Sequence, residues 1–268
     1  MPRVAVVGHV EWVDFIPVER MPREGEVLAA SSAAFSRGAG GGGVVAVVLA
    51  ELGAEPVDFF CALGDDAHGH AAAEQLAERG VTMHVAWRTD QPTRRALTLL
   101  EGGGERTIVT VGERLEPRGS DTLEWDLLGS CQGVYFTAGD VAALEQARRA
   151  EVLVASPRGR AALAQGPTID ALVFSRGDRD EAEWARRLQQ KARLLVETRG
   201  AEGGVWWGAS EGSWRPVPPG GPVNDSYGCG DSFAAGFTFA LGAGQAVADA
   251  AAIGARCGTD CLTRAGAP

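Results

Sequence analysis

The feature that most constrains this chain is its alternation of short Val/Leu-rich runs with helical stretches. Residues 3–7 read as a strand ending at Gly8, and residues 57–61 as a second strand. Gly64-Asp65-Asp66 then caps a helix over 68–79, and 81–87 is a third strand. From residue 133 the rhythm is regular. Strands at 133–136, 152–155, 171–174 and 192–197 are separated by helices at 141–150, 160–164 and 180–190. Strands that are apolar throughout, instead of every second residue, belong to a parallel sheet covered on both faces. The expectation is an α/β fold: a mostly parallel central sheet flanked by helices in three layers. Two extended segments, near 10–35 and 93–112, break the alternation and read as a small β lid. The second is a hairpin around Gly102-Gly103-Gly104. A hairpin at 204–207 and 214–217 precedes two Ala-rich helices, 230–241 and 245–256, and the whole of 1–268 reads as one domain.

Charge and lysine usage narrow the chemistry. With 25 Lys+Arg against 35 Asp+Glu the net charge is −10, which disfavours nucleic acid or an anionic membrane as partner. The longest apolar run, 44–52, is about half of what a membrane helix needs, and no signal-peptide pattern precedes the first strand. Five scattered cysteines without a CxxC pair suit reduced thiols, no zinc site and a cytoplasmic protein. Lys191 is the one lysine, within Gln189-Gln190-Lys191-Ala192. Neither a Walker A loop nor a protein-kinase strand lysine can be built from it. Any phosphate handled here must be held by backbone amides, arginines or a metal.

The 37 glycines then become informative. Residues 38–43 formally spell GxGxxG, but a dinucleotide fingerprint follows the first strand directly, and here that strand leads into His9-Val10-Glu11-Trp12. The run reads either as a flexible turn into a helix or as a surface where backbone at Gly40, Gly41 and Gly42 approaches a polyhydroxylated ligand. The segment 224–237 differs. Amides of Gly228, Cys229 and Gly230 open an apolar helix, and a helix N-terminus binds phosphate without a lysine. Asp231 there is either a first-turn carboxylate stabilising the helix by about 0.3–1 kcal/mol or a general base for an attacking alcohol. Asp225, six positions earlier, gives the turn a second carboxylate.

This segment resembles the second signature of the ribokinase-like PfkB carbohydrate kinases. Asp225, Gly228, Gly230, Asp231, Ala235 and Gly236 match it, with Ser226 a mild variant and Cys229 in place of the usual alanine. Pro22-Arg23-Glu24-Gly25-Glu26, Gly40-Gly41 to Leu52-Gly53, Gly64-Asp65-Asp66 and Thr198 to Gly203 are similar to further family segments, in the family's order. The resemblance implies a ribokinase-like fold and phosphorylation of a sugar-like hydroxyl by ATP with Mg²⁺. Asp231 would be the base, and Gly228, Cys229 and Gly230 the anion hole. Thr198, Gly200 and Gly203 would line the nucleotide, and Asp225 would mark a site for K⁺. Asp178 and Glu181 look like a variant of the family's N-x-x-E magnesium motif, with Glu181 acting through water. On the substrate side the family's Asn slot holds Val44. Its sugar-binding Asp slot holds Val13, leaving Asp14 and Glu11 as candidates. Arg94, Arg95 and Arg106 of the second lid segment either reach an anionic group or form surface ion pairs. His68 and His70 read as helix-start residues. The alternatives are a non-catalytic sugar or nucleotide sensor on the same fold, a nucleoside kinase, and a dehydrogenase binding NAD(P) at 38–43. Exposed lid edges suggest a homodimer.

Overall fold

The structure, a computed structural model, describes residues 1–102, 104–266 and 268. Gly103, at the tip of the expected lid hairpin, lies outside them. The chain runs β1 (Val4–Val7), β2 (Glu11–Val18), β3 (Phe35–Ala39), α1 (Gly40–Glu51), β4 (Val57–Gly64), α2 (Ala67–Glu78), β5 (Val81–Arg88), β6 (Arg95–Glu101) and β7 (Arg106–Val111). It continues β8 (Gly133–Phe136), α3 (Val141–Ala147), β9 (Val152–Ala155), α4 (Arg160–Gln165), β10 (Ile169–Ser175), α5 (Arg179–Leu188), β11 (Ala192–Thr198), β12 (Gly204–Gly208), β13 (Gly212–Trp214), α6 (Cys229–Gly242) and α7 (Val247–Cys261).

Among the described residues, nine strands form one sheet in the order β13-β12-β11-β10-β9-β8-β1-β4-β5. The pairings from β11 to β5 are parallel, and β12 and β13 close one edge antiparallel. In β1 the alternation sorts side chains by face. Val4 and Val6 pack with α1, α6 and α7, while Ala5 and Val7 pack with residues of α3, α4 and α5. Both faces are therefore dry, which is why these strands are apolar at every position. Helix α1 is buried from Gly40 to Leu49, as befits a helix with no polar side.

The lid is a second sheet in the order β3-β2-β6-β7, mixed in sense because β2 and β6 are parallel. Its strand β3 runs past the expected boundary at residue 35 and into the glycine run. Only Phe35 and Ala39 in Phe35–Ala39 are apolar, so no alternation announces the strand. The last hairpin is also shifted: β13 covers Gly212–Trp214, with Gly204 facing Trp214, instead of 214–217. A short 3-10 turn at Trp125–Ser130, which no pattern announced, covers the edge of the core with Trp125 and Leu128.

Candidate active site

The carboxyl ends of the parallel strands converge on one crevice, the usual ligand position in open α/β sheets. β1 delivers Gly8 and His9, β9 leads to Ser156-Pro157-Arg158, β10 ends at Ser175 and β11 at Thr198. The first turn of α6 faces this rim.

The glycine run is neither a loop nor a dinucleotide fingerprint. Gly40 has φ +84°, a conformation suited to glycine, and opens α1 directly after lid strand β3. Gly41 N–H donates to His9 Nε2 (3.3 Å), and Gly42 N–H donates to His9 O (3.0 Å). A Cβ on Gly41 would stand 2.6 Å from Arg158 Nη1 and 3.2 Å from Asp231 Oδ1. On Gly42 it would meet His9 O at 2.6 Å and the Phe59 ring at 2.9 Å. The backbone here is pressed against the Asp231 carboxylate because no side chain intervenes.

Asp231 sits in the first turn of α6, whose N-cap Gly228 has φ +76°. Its Oδ1 accepts from Arg158 Nη1 at 2.6 Å, and the same guanidinium reaches Glu181 Oε1 with Nε at 3.1 Å. Asp231 above all raises the proton affinity of Arg158. Glu181 Oε2 accepts the Ser175 amide at 3.1 Å, and burial pushes the Glu181 carboxyl up, opposed by Arg158. Arg158 thus bridges two carboxylates on opposite sides of the crevice.

Behind Gly41, burial holds His9 neutral, aided by the charges of Arg114, Arg158 and Arg94. Because Nε2 accepts, the ring proton is on Nδ1. Glu11 Oε2 lies 3.2 Å from Arg94 Nε without hydrogen-bond alignment. His9 Nδ1, Glu11 Oε2 and Arg94 Nε are buried atoms without a hydrogen-bond partner among the described residues. Burial pushes the Glu11 carboxyl up, opposed first by Arg94.

The structure brings Glu11, Gly40, Gly41, Gly42, Arg94, Glu181 and Asp231 to one place. It puts Asp14 on the other face of β2, where Ser36 Oγ and Arg95 Nη2 each donate to it at 2.6 Å. Strand periodicity separates these two acids, three residues apart. Asp178 caps α5, accepting the amides of Asp180 and Glu181. Asp225 is buried and accepts the Tyr227 and Gly266 amides at 2.8 and 2.6 Å. Cys229 opens α6, the neighbouring Cys261 and burial push its thiol up, and a Cβ on Gly230 would meet open space. Thr198 ends β11, with the turn at Gly200–Glu202 after it. A side chain at Gly203 would collide with the Trp214 carbonyl. Arg106 donates to Ser226 Oγ at 2.6 Å, linking the second sheet to the turn that opens α6. His70 pairs with Asp65 and stacks on Trp87, while His68 lies against Trp12. Among the described residues no group of three or more His, Cys, Asp or Glu side chains is arranged to hold a metal ion.

Sequence reasoning missed His9, Arg114 and Arg158. The signals for two of them were positional: His9 follows the first strand's glycine, Arg158 follows a central strand's end, and a chain with one lysine needs arginines at such ends.

The sequence profile described as "pfkB family carbohydrate kinase" matches residues 1–155 and 167–268. A ribokinase from Arabidopsis thaliana is 33% identical over 114 residues, which is 41% of this chain and only 30% of that protein's length. Among solved structures, A. thaliana ribokinase complexed with ribose and ATP superposes with a TM-score of 0.78 at 21% identity, covering 99% of this chain and 94% of its own. Ribokinase from Cryptococcus neoformans var. grubii in complex with ADP gives 0.76 at 22%, covering 100% and 96%. A nucleoside kinase from Methanocaldococcus jannaschii gives 0.75 at 17%, covering 100% and 93%. These likenesses establish a ribokinase-like fold. Among the described residues no helix is long and apolar enough to cross a membrane.

Proposed function

The chain belongs to the pfkB family of carbohydrate kinases, and from that premise we propose that it transfers the γ-phosphoryl group of ATP to a hydroxyl of a sugar or sugar-like acceptor, with Asp231 as general base. The observation that carries this reading is the position of Asp231. It stands in the first turn of α6 beside Gly228, Cys229 and Gly230, with its Oδ1 3.2 Å from where a Cβ on Gly41 would be. A carboxylate so placed takes the proton of a hydroxyl lying on the glycine surface, while the helix-start amides face the phosphoryl oxygens. Phosphoryl transfer asks for little more than this positioning and neutralisation.

On the acceptor side, the Nδ1 proton of His9 and the carboxylate of Glu11 offer a donor and an acceptor to sugar hydroxyls, with Arg94 beside them. Asp14, tied to Arg95 and Ser36, supports the lid instead. Thr198, Gly200 and Gly203 flank the nucleotide. Mg²⁺ keeps most of its shell as water and phosphate oxygens, and Glu181 and Asp178 are the carboxylates positioned to meet that shell. At Asp225 both carboxylate oxygens serve amides, so a K⁺ there would rest on backbone carbonyls. The outer lid strand β7 is exposed along its length, and we assign it the role of a pairing edge in a homodimer.

A panel of sugars and nucleosides assayed with ATP, Mg²⁺ and K⁺ tests the reading, with product mass locating the phosphorylated hydroxyl. Asp231→Asn is expected to lower turnover by roughly 10²–10⁴ while calorimetric ADP binding is kept. Near-normal turnover in that variant would remove Asp231 as base. A non-catalytic sensor is favoured by one observation, the Arg158 guanidinium that neutralises Asp231. Phosphorylation of any panel compound excludes it.

A further inference from the structure

We propose that Arg158 is a catalytic residue with two successive partners. It neutralises Asp231 in the unliganded protein and carries the γ-phosphoryl group once nucleotide is bound. The proposal rests on the kinase reading above.

Three observations converge on Arg158. Its guanidinium stands between the proposed base and the proposed metal-side acid, 2.6 Å from Asp231 Oδ1 and 3.1 Å from Glu181 Oε1. A phosphoryl group passing from nucleotide to acceptor must cross the gap between these two carboxylates. The chain supplies no lysine for that gap: Lys191 Nζ is bound to Gly166 O beyond the start of β11. A planar guanidinium fits phosphoryl oxygens in two-pronged fashion, which makes arginine a suitable replacement. Finally, the guanidinium has room to move. Its side chain remains 34% exposed, and it lines a cavity of about 170 Å³ together with Pro157, Asp178 and Glu181, a lining that does not include Asp231.

The backbone at Arg158 is held while the side chain is free to change partner. Arg114 Nη2 donates to Arg158 O at 3.2 Å, and the Pro157–Gly159 turn is fixed below by Gly159 against Phe136. In the step itself the acceptor oxygen attacks the γ-phosphorus and its proton passes to the Asp231 carboxylate. The bond from the γ-phosphorus to the β,γ-bridging oxygen breaks, and its electron pair leaves with ADP. Arg158 keeps its charge throughout and neutralises the equatorial oxygens. As long as Arg158 holds Asp231 Oδ1 at 2.6 Å, that oxygen is occupied by a guanidinium N–H, so the γ-phosphate of bound ATP frees it for the acceptor hydroxyl as it recruits the arginine.

The test does not need the acceptor. Calorimetry with Mg²⁺ compares ADP with the β,γ-imido analogue of ATP on the wild-type protein, Arg158→Gln and Arg158→Lys. Arg158→Gln is expected to weaken the imido analogue at least tenfold and ADP less than twofold. Arg158→Lys, which keeps the charge without the fork, is expected to fall between, and it carries the test if the glutamine variant does not fold. Equal weakening of both nucleotides, or none of either, overturns the proposal and leaves a purely structural arginine. A wild-type protein that binds neither nucleotide overturns the kinase reading and the proposal together.

Discussion

His9 is the residue whose chemistry depends most on its surroundings. Burial holds it neutral well below the ordinary 6.5. The unfolded chain takes up a proton there below about 6.5 while the folded chain does not, so stability falls as pH drops through that value, by up to about 1.4 kcal/mol per unit. In His9→Gln the side-chain oxygen can accept the Gly41 amide, and urea midpoints from pH 7 to 5 should lose that slope. An undiminished slope in the variant would clear His9. The neighbouring glycines separate in the same spirit. A methyl on Gly42 meets the His9 carbonyl and the Phe59 ring, and Gly42→Ala should cost about 1–3 kcal/mol in urea unfolding. A methyl on Gly41 meets the far end of the Arg158 side chain at 2.6 Å and only side-chain atoms of Asp231 and His9 at 3.2 Å, so Gly41→Ala should cost less in urea unfolding than Gly42→Ala. Asp231 was legible in the sequence because its whole environment is local: a glycine turn, a helix start, an acid. Arg158 was not, because its meaning depends on residues 181 and 231 being brought to it from two other helices, α5 and α6.

At the scale of elements, the helix ends decide how well the site is fixed. Asp66 caps α2 by accepting the Gly69 amide at 2.8 Å, and its other oxygen accepts the Thr93 amide at 2.7 Å where the chain turns toward the lid. Asp66→Ala should cost about 0.5–2 kcal/mol, and sugar-site affinity should weaken with it because the same carboxylate anchors the lid's entry. Unchanged urea midpoints would reject this double duty. Gly228 caps α6 at φ +76°, with Val44 Cγ1 3.1 Å from where its Cβ would be. The sequence disclosed most strands and helices because their apolar runs are continuous. It hid β3, whose register comes from pairing with β2 and from Gly38 closing on α2, neither of which leaves a hydrophobic period.

For the whole molecule, the lid is the element that faces both site and solvent. Ile108, Val109 and Val111 on β7 are each at least 42% exposed, an apolar edge that a second copy's β7 would cover. Light scattering should then give twice the 27.9 kDa chain mass, and Val109→Lys should shift it toward monomer. A wild-type monomer at working concentration would contradict the proposed pairing. The parallel order of the main sheet has another outcome, one that concerns handling the protein. Lys191 immediately precedes β11 and Thr198 ends it, so strand rise alone puts about 20 Å between the lone ε-amine and the site's rim. Apart from the α-amino group, an amine-reactive dye or bead has one point of attachment, and it lies at the opposite end of β11 from that rim. Molecules coupled through Lys191 should therefore be held alike, with the crevice facing outward.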